Sequence, residues 1–243
     1  MAHTAALDFS PEDCLEVAGV SVPLDPNVIT PAIHEAMLDG AFEAEESAQI
    51  PRIVRPGDRV LEIGAGIGFI STLLSREERV EAVIAVEANP LLMGYMARLH
   101  EKNGVSKVRR LNAVLGNGLE TSATFYLRQD FWMGSLMPRP NPYYATVEVP
   151  TLGLDRLLAE ERVSLVVCDV EGAETFLFHG ADLSGVDRIF VELHDHVTGL
   201  SGVGRIFSTL AQMGFIYDPR HSTGSVVLFQ KVGSEDIVRP YGA

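Results

Sequence analysis

The sequence predicts an α/β fold: a mostly parallel sheet covered by helices, with an N-terminal helical arm, an inserted β-hairpin before strand 4 and a C-terminal antiparallel hairpin. Three observations carry this prediction. From residue 59 onward, short apolar runs alternate with stretches of helical periodicity. The run Val60-Leu61-Glu62-Ile63-Gly64-Ala65-Gly66-Ile67-Gly68 breaks from a strand into alternate glycines and resumes as the apolar Phe69-Ile70-Ser71-Thr72-Leu73-Leu74. Finally, Phe215-Ile216-Tyr217 and Ser225–Gln230 are two apolar segments separated by polar turn residues, which reads as a hairpin.

Taken in order, residues 1–30 are rich in proline and small side chains and read as an irregular arm or short hairpin. Ile33, Met37, Leu38 and Phe42 have helical spacing, so one helix is expected from Pro31 to Ile50. Pro51, Pro56 and Gly57 then separate an arm, 1–55, from the main domain, 56–243. Core strands are expected at 59–63, 82–87 and 108–112, with helices at 67–77 and 90–102, the second closed by Asn103-Gly104. The rhythm then breaks for about fifty residues, more than one crossover needs. Ala123–Arg128 and Ala145–Val149 read there as extra strands, and Leu152–Glu161 as a helix. The sheet resumes with Leu165–Asp169, a helix near 173–180, the strand Arg188–Leu193 and a helix at 202–213.

A chain of 243 residues suits one large domain, and its 47% apolar content fills a core. The formal net charge is −14 and no Lys/Arg-rich run occurs, which argues against nucleic acid and anionic membrane surfaces as partners. Two cysteines, Cys14 and Cys168, make neither a disulfide framework nor a thiolate metal site. The N-terminal hexapeptide lacks a charged region followed by an apolar block, so no signal peptide is expected, and a cytoplasmic location follows. Oligomeric state is open, a homo-oligomer included.

The glycines point to a ligand. A dinucleotide G-x-G-x-x-G would place its third glycine at position 69, which is Phe69 and argues against a nicotinamide oxidoreductase. Gly64, Ala65, Gly66 and Gly68 instead form the G-x-G-x-G pattern found where S-adenosylmethionine binds. In an open α/β sheet the ligand lies at the carboxyl ends of the strands, and the following helix start offers free N–H groups to a carboxylate. Glu62 is expected to hold the methionine ammonium. Glu87, nineteen residues after Gly68, is expected to take the ribose hydroxyls, with Ala88 beside the adenosine, Asn112 at the adenine edge and Asp169 as a further cofactor contact.

Methyl transfer to a hydroxyl needs alignment and a proton acceptor, or a metal that acidifies the hydroxyl. Two polar clusters end adjacent strands: Asp169-Val170-Glu171-Gly172-Ala173-Glu174 and Glu192-Leu193-His194-Asp195-His196. Strand alternation puts Glu192 and His194 on one face, so Asp169, Glu192 and His194 are the expected catalytic group. The same three are candidate ligands for a divalent metal, or His194 is a base oriented by a carboxylate. Glu174 reads as a charge at a helix N-terminus, and Glu171 reads either so or as an acceptor contact. Trp132, the only tryptophan, and Glu171 are candidate substrate contacts. His100, His179 and His221 read as ordinary surface or helix residues.

Val149-Pro150-Thr151-Leu152-Gly153-Leu154-Asp155, Val166-Val167-Cys168-Asp169-Val170-Glu171-Gly172-Ala173-Glu174, Gly180 and Phe190-Val191-Glu192-Leu193-His194 together resemble the FkbM-type S-adenosylmethionine-dependent methyltransferases. The likeness covers roughly residues 58–196, and the D-V-E-G-A-E run is its most specific part. It implies a class I methyltransferase (Rossmann-like) sheet and O-methylation of a hydroxyl on a small sugar or polyketide-like acceptor. The alternatives are N-methylation, or a non-catalytic cofactor-binding scaffold that keeps the fold. Two departures stand out: Val167-Cys168 precedes Asp169 where the family often carries Lys-Ile, and the arm and the 129–144 loop match nothing assignable.

Overall fold

The computed structural model describes residues 9–10, 12–233 and 239–240, so the start of the arm lies outside them. The described chain opens with a hairpin, β1 (Cys14–Val17) and β2 (Val20–Pro23). Two helices follow, α1 (Pro31–Leu38) and α2 (Ala44–Ile53). The single helix expected from Pro31 to Ile50 is therefore split. Gly40 at φ +69° closes α1 and Glu43, left-handed at φ 50°, precedes α2. Pro51 lies inside the last turn of α2 rather than beyond it.

The main domain runs β3 (Asp58–Ile63), α3 (Phe69–Arg76), β4 (Val80–Glu87), α4 (Met93–Lys102) and β5 (Val108–Asn112). The insert contains β6 (Val114–Gly116), β7 (Ser122–Leu127) and β8 (Ala145–Gly153), in sheet order β6-β8-β7. The expected hairpin is thus β7–β8, extended by the short β6 that pairs parallel to β8. The chain continues with α5 (Leu154–Glu161), β9 (Leu165–Cys168), α6 (Glu174–Leu177), β10 (Arg188–Glu192) and α7 (Asp195–Gln212). It ends in β11 (Phe215–Thr223) and β12 (Val226–Lys231). Helix α7 begins earlier than its periodicity predicts and breaks at Gly199.

The seven-stranded sheet has the order β11-β12-β10-β9-β3-β4-β5, with β12 alone antiparallel to its neighbours. This is the class I methyltransferase arrangement. Its two faces are covered by different elements, as an all-parallel centre requires. Val60, Leu165 and Phe190 pack with Ile33, Ile50 and Phe69 on the face covered by the arm and α3. Leu61, Val166 and Ile189 pack with Leu158, Ile206 and Leu210 on the other. At the amino end of the strands, a buried pair joins Arg188 Nη2 to Asp58 Oδ1 at 2.5 Å, and Asp58 Oδ1 also accepts from Ser164 Oγ. No helix among the described residues is long and apolar enough to cross a membrane.

Candidate active site

A cavity with an empty volume of about 1130 Å³ opens at the carboxyl ends of β3, β4, β9 and β10. Strand alternation explains what faces it. Glu62 lies two residues after Val60, Asp169 four after Leu165 and Glu192 two after Phe190, all on the arm-covered face. Register places Val167 opposite both Glu62 and Phe190, so Asp169 and Glu192 are level with each other and Glu62 lies one alternation deeper on the same face.

The glycine loop allows the backbone to close on itself here. A Cβ on Gly64 would stand 1.6 Å from the Asp169 carbonyl oxygen, and Gly64 holds φ +87°. Gly64, Ala65 and Gly66 line the cavity together with Glu62, Glu87 and Ala88. Gly68 does not. It caps α3 at φ +86° and packs on Met96 and His100. His100 lies in α4, as a helix residue, but is buried rather than on the surface. Its Nε2 lies 3.1 Å from Ser71 Oγ and 3.2 Å from the Gly68 oxygen, and burial holds its pKa down to about 4.

Glu87 ends β4 with Oε2 accepting from Gly66 N at 2.7 Å and Oε1 from Asn89 N at 2.6 Å. Burial pushes it up to about 7 against these amides. Asn112 is not brought to the cavity. Its Nδ2 donates to the carbonyls of Glu87 and Ala88 at 2.9 and 3.0 Å, clamping the end of β4, and Ala113, Val114 and Leu115 line the wall instead. Glu62 is 3% exposed and its Oε2 has no hydrogen-bond partner. Burial raises it to about 8, with the Ser71 hydroxyl and amide drawing it partly back. A buried, unpartnered carboxylate oxygen beside a glycine cradle fits a cofactor that brings an ammonium group.

The other end of the cavity is built around His194. Strand β10 ends at Glu192, so the alternation expected to continue to His194 does not; His194 precedes α7 and turns inward. It is 3% exposed and does not line the cavity. Its Nδ1 and backbone N both lie 3.2 Å from Glu174 Oε1, and Glu174 Oε2 accepts from Gly172 N at 2.8 Å. Glu174, in the first turn of α6, is thus a buried anchor as well as a helix-end acid. Sequence reasoning misses this bond, although both residues follow the ends of adjacent strands.

On the cavity side, His194 Nε2 faces Asp169 Oδ1 at 3.3 Å, Glu171 Oε1 at 3.7 Å and Glu192 Oε2 at 3.8 Å. Burial lowers the pKa of His194, but the hydrogen bonds and charges of Asp169 and Glu174 outweigh it and lift the ring to about 11. An imidazolium has no lone pair to accept a proton, so this geometry does not suit His194 as a base. Donor atoms of Asp169, Glu192 and His194 lie within 4.8 Å of one another and could hold a divalent cation, with His194 then giving up its Nε2 proton. Burial and the neighbouring Asp169 raise Glu192 to about 8, and burial raises Glu171 to about 7.

The arm supplies the remaining wall. Glu43 and Glu46, at the start of α2, line the cavity beside Asp169 and Glu192. Burial raises Glu43 well above the usual carboxylate range and Glu46 to about 7. Trp132 lines it too, stacked on Phe42 with centroids 6.2 Å apart, while Phe131 packs against Gly66. Nothing in the sequence joins residues 42–46 to residues 169–192; only their spacing on one turn of α2 marks Glu43 and Glu46 as a pair.

The Methyltransferase FkbM domain matches residues 62–217, from Glu62 to the closing hairpin. No curated protein is significantly similar in sequence. Among solved structures, Trm5b from Pyrococcus abyssi is 16% identical with a TM-score of 0.49; the match covers 92% of this chain and 56% of that one. The chain therefore spans little more than half of that protein. TYW2 from M. jannaschii, in complex with AdoMet, is 13% identical over 93% of this chain and 89% of that one, with a TM-score of 0.48. An rRNA methylase from Streptococcus thermophilus is 12% identical over 77% and 95%, with a TM-score of 0.43.

The last match corrects the partner expectation. The net charge of −14 argues against nucleic acid, yet an rRNA methylase is among the structural matches. Whole-chain charge is a sum, whereas an acceptor meets only a local surface. The exclusion of nucleic acid is withdrawn. With its domain match running from the cofactor strand to the closing hairpin, the chain belongs to the FkbM methyltransferase family and is an S-adenosylmethionine-dependent methyltransferase.

Proposed function

We propose that the chain methylates a hydroxyl oxygen, with sugar and polyketide-like alcohols as its first candidate acceptors. The observation that supports this reading is the meeting of Asp169 and Glu192 at the open end of the cavity, backed by the buried Glu174–His194 pair. S-adenosylmethionine, when bound, supplies an activated methyl group on a sulfonium. Glu62 would receive its ammonium, the Gly64–Gly66 backbone its carboxylate, Glu87 its ribose hydroxyls and Ala88 its adenosine.

In this reading Glu192 takes the hydroxyl proton. A carboxylate with a pKa of about 8 is closer to neutrality, and so a better acceptor, than an ordinary one. Asp169 orients the hydroxyl through its second oxygen. His194, anchored by Glu174, fixes Asp169 and Glu192 in place and moderates their mutual repulsion. Trp132 and Glu171 border the acceptor, and the 1–55 arm closes the site over it through Phe42, Glu43 and Glu46.

The test is incubation with methyl-labelled S-adenosylmethionine and a panel of sugars, glycolipids and polyketide-like alcohols, with rRNA and ribosomal protein alongside. Mass spectrometry then locates the label. Transfer to oxygen is expected, and Asp169→Asn should abolish it while S-adenosylhomocysteine affinity stays within a few-fold. Full activity in that variant removes Asp169 from the mechanism. Label on nitrogen alone refutes the hydroxyl reading.

A further inference from the structure

The acceptor side of the cavity carries more carboxyl groups than proton removal requires. Glu43, Glu45, Glu46, Asp169, Glu171 and Glu192 line its opening, with no Lys or Arg among the described lining residues. Three of these already have a cation: His194 Nε2 sits 3.3–3.8 Å from Asp169, Glu171 and Glu192. Across the opening, no ion pair joins Glu43 or Glu46 to a basic side chain among the described residues. Burial pushes both toward the protonated form, and a positively charged occupant would draw them back to the carboxylate.

Two further observations indicate what that occupant is. The floor of the same cavity carries Glu62, 3% exposed, whose Oε2 has no hydrogen-bond partner. That unpartnered buried carboxylate, offered to the cofactor's ammonium, shows that the cavity is shaped to meet positively charged ligand groups rather than its own internal bonds. Beside Glu43 stands the Phe42–Trp132 pair, its rings only 27° from parallel. Carboxylates next to aromatic faces attract an organic ammonium by charge and ring quadrupole together. A bare divalent ion seeks oxygen ligands and gains nothing from such a wall.

Building on the reading that this cavity receives the acceptor, we propose that the acceptor carries a protonated amine. Glu43 and Glu46 hold the amine against the Phe42–Trp132 wall while the hydroxyl lies at Asp169 and Glu192. The arm is then a specificity device: it selects charge at a position the sheet does not reach.

The experiment uses the full chain saturated with S-adenosylhomocysteine. Calorimetry compares glucosamine and kanamycin with their N-acetylated counterparts, and Mn²⁺ is titrated alone. The free amines should bind at least about ten-fold more tightly, a preference that weakens steeply as salt is raised. The Glu43→Gln/Glu46→Gln variant should lose the preference while its melting temperature and S-adenosylhomocysteine affinity report an intact fold. Equal binding of the N-acetylated forms, binding of neither form, or a preference unchanged in salt overturns the proposal. So does Mn²⁺ binding that depends on Glu43 and Glu46. Preferential binding of amines whose label is later found on nitrogen supports ammonium recognition and refutes the hydroxyl reading. Failure to bind S-adenosylhomocysteine refutes the cofactor assignments instead.

Discussion

Replacing Glu62 by glutamine should stabilise the ligand-free protein and weaken its cofactor binding. Glutamine keeps the shape and the Ser71 contact but removes a carboxyl whose pKa rises from 4.5 to about 8 on folding. A tenfold change in proton affinity between the two states corresponds to about 1.4 kcal/mol. Between pH 4.5 and 8 the unfolded chain has lost this proton and the folded chain retains it, so wild-type stability falls as pH rises. At pH 7 the accumulated cost is about 3 kcal/mol, and above pH 8 it levels off at about 5 kcal/mol. The variant escapes it. Urea denaturation of both proteins at pH 5, 7 and 8.5 measures the gap, which should open with pH. With S-adenosylhomocysteine present the order should narrow or reverse, because at about a hundred times Kd a ligand adds about 2.7 kcal/mol only to the protein that binds it. A gap that does not change with pH, or a variant less stable than wild type, would refute the buried-carboxylate argument.

Two other outcomes follow from the site. If Glu192 accepts the proton, kcat should climb through about pH 8 as the carboxylate ionises, and Glu192→Gln should flatten that limb; a wild-type rate independent of pH from 6 to 9 counts against it. Gly64→Ala should cost more than about 4 kcal/mol, since its Cβ meets the Asp169 carbonyl at 1.6 Å in a left-handed backbone. Gly180→Ala, also at positive φ but with nothing within 4 Å, should cost only about 1–2 kcal/mol, and similar melting temperatures for the two variants would sink the close-approach explanation.

How much is legible in the sequence depends on the distance over which each feature is determined. The β3–glycine–α3 unit is local: apolar alternation, a backbone that only glycine adopts and a resumed apolar face all lie within fifteen residues. The same holds for β9, β10 and the closing hairpin, and for Glu62 and Glu87 at their strand ends. Readings that extend a local rule past an element's end fail. Strand alternation stops at Glu192, so His194 turns inward, and one helical period across Gly40 and Glu43 conceals a break. Asn112 ends the right strand, but hydrogen bonding to the neighbouring strand end consumes its amide.

By itself, then, the sequence determined the core strands and the helices between them, the glycine cradle and the carboxylates that reach it, because these follow from period, φ and position within one βα unit. The tertiary structure decided three things. It made Glu174 the anchor of His194, since two adjacent strand ends had to meet before either could bond. It set the protonation of His194, because a ring surrounded by carboxylates behaves unlike a ring read alone. And it brought Glu43 and Glu46 to the site: packing α2 against the sheet joins segments more than a hundred residues apart, a contact that no local pattern encodes.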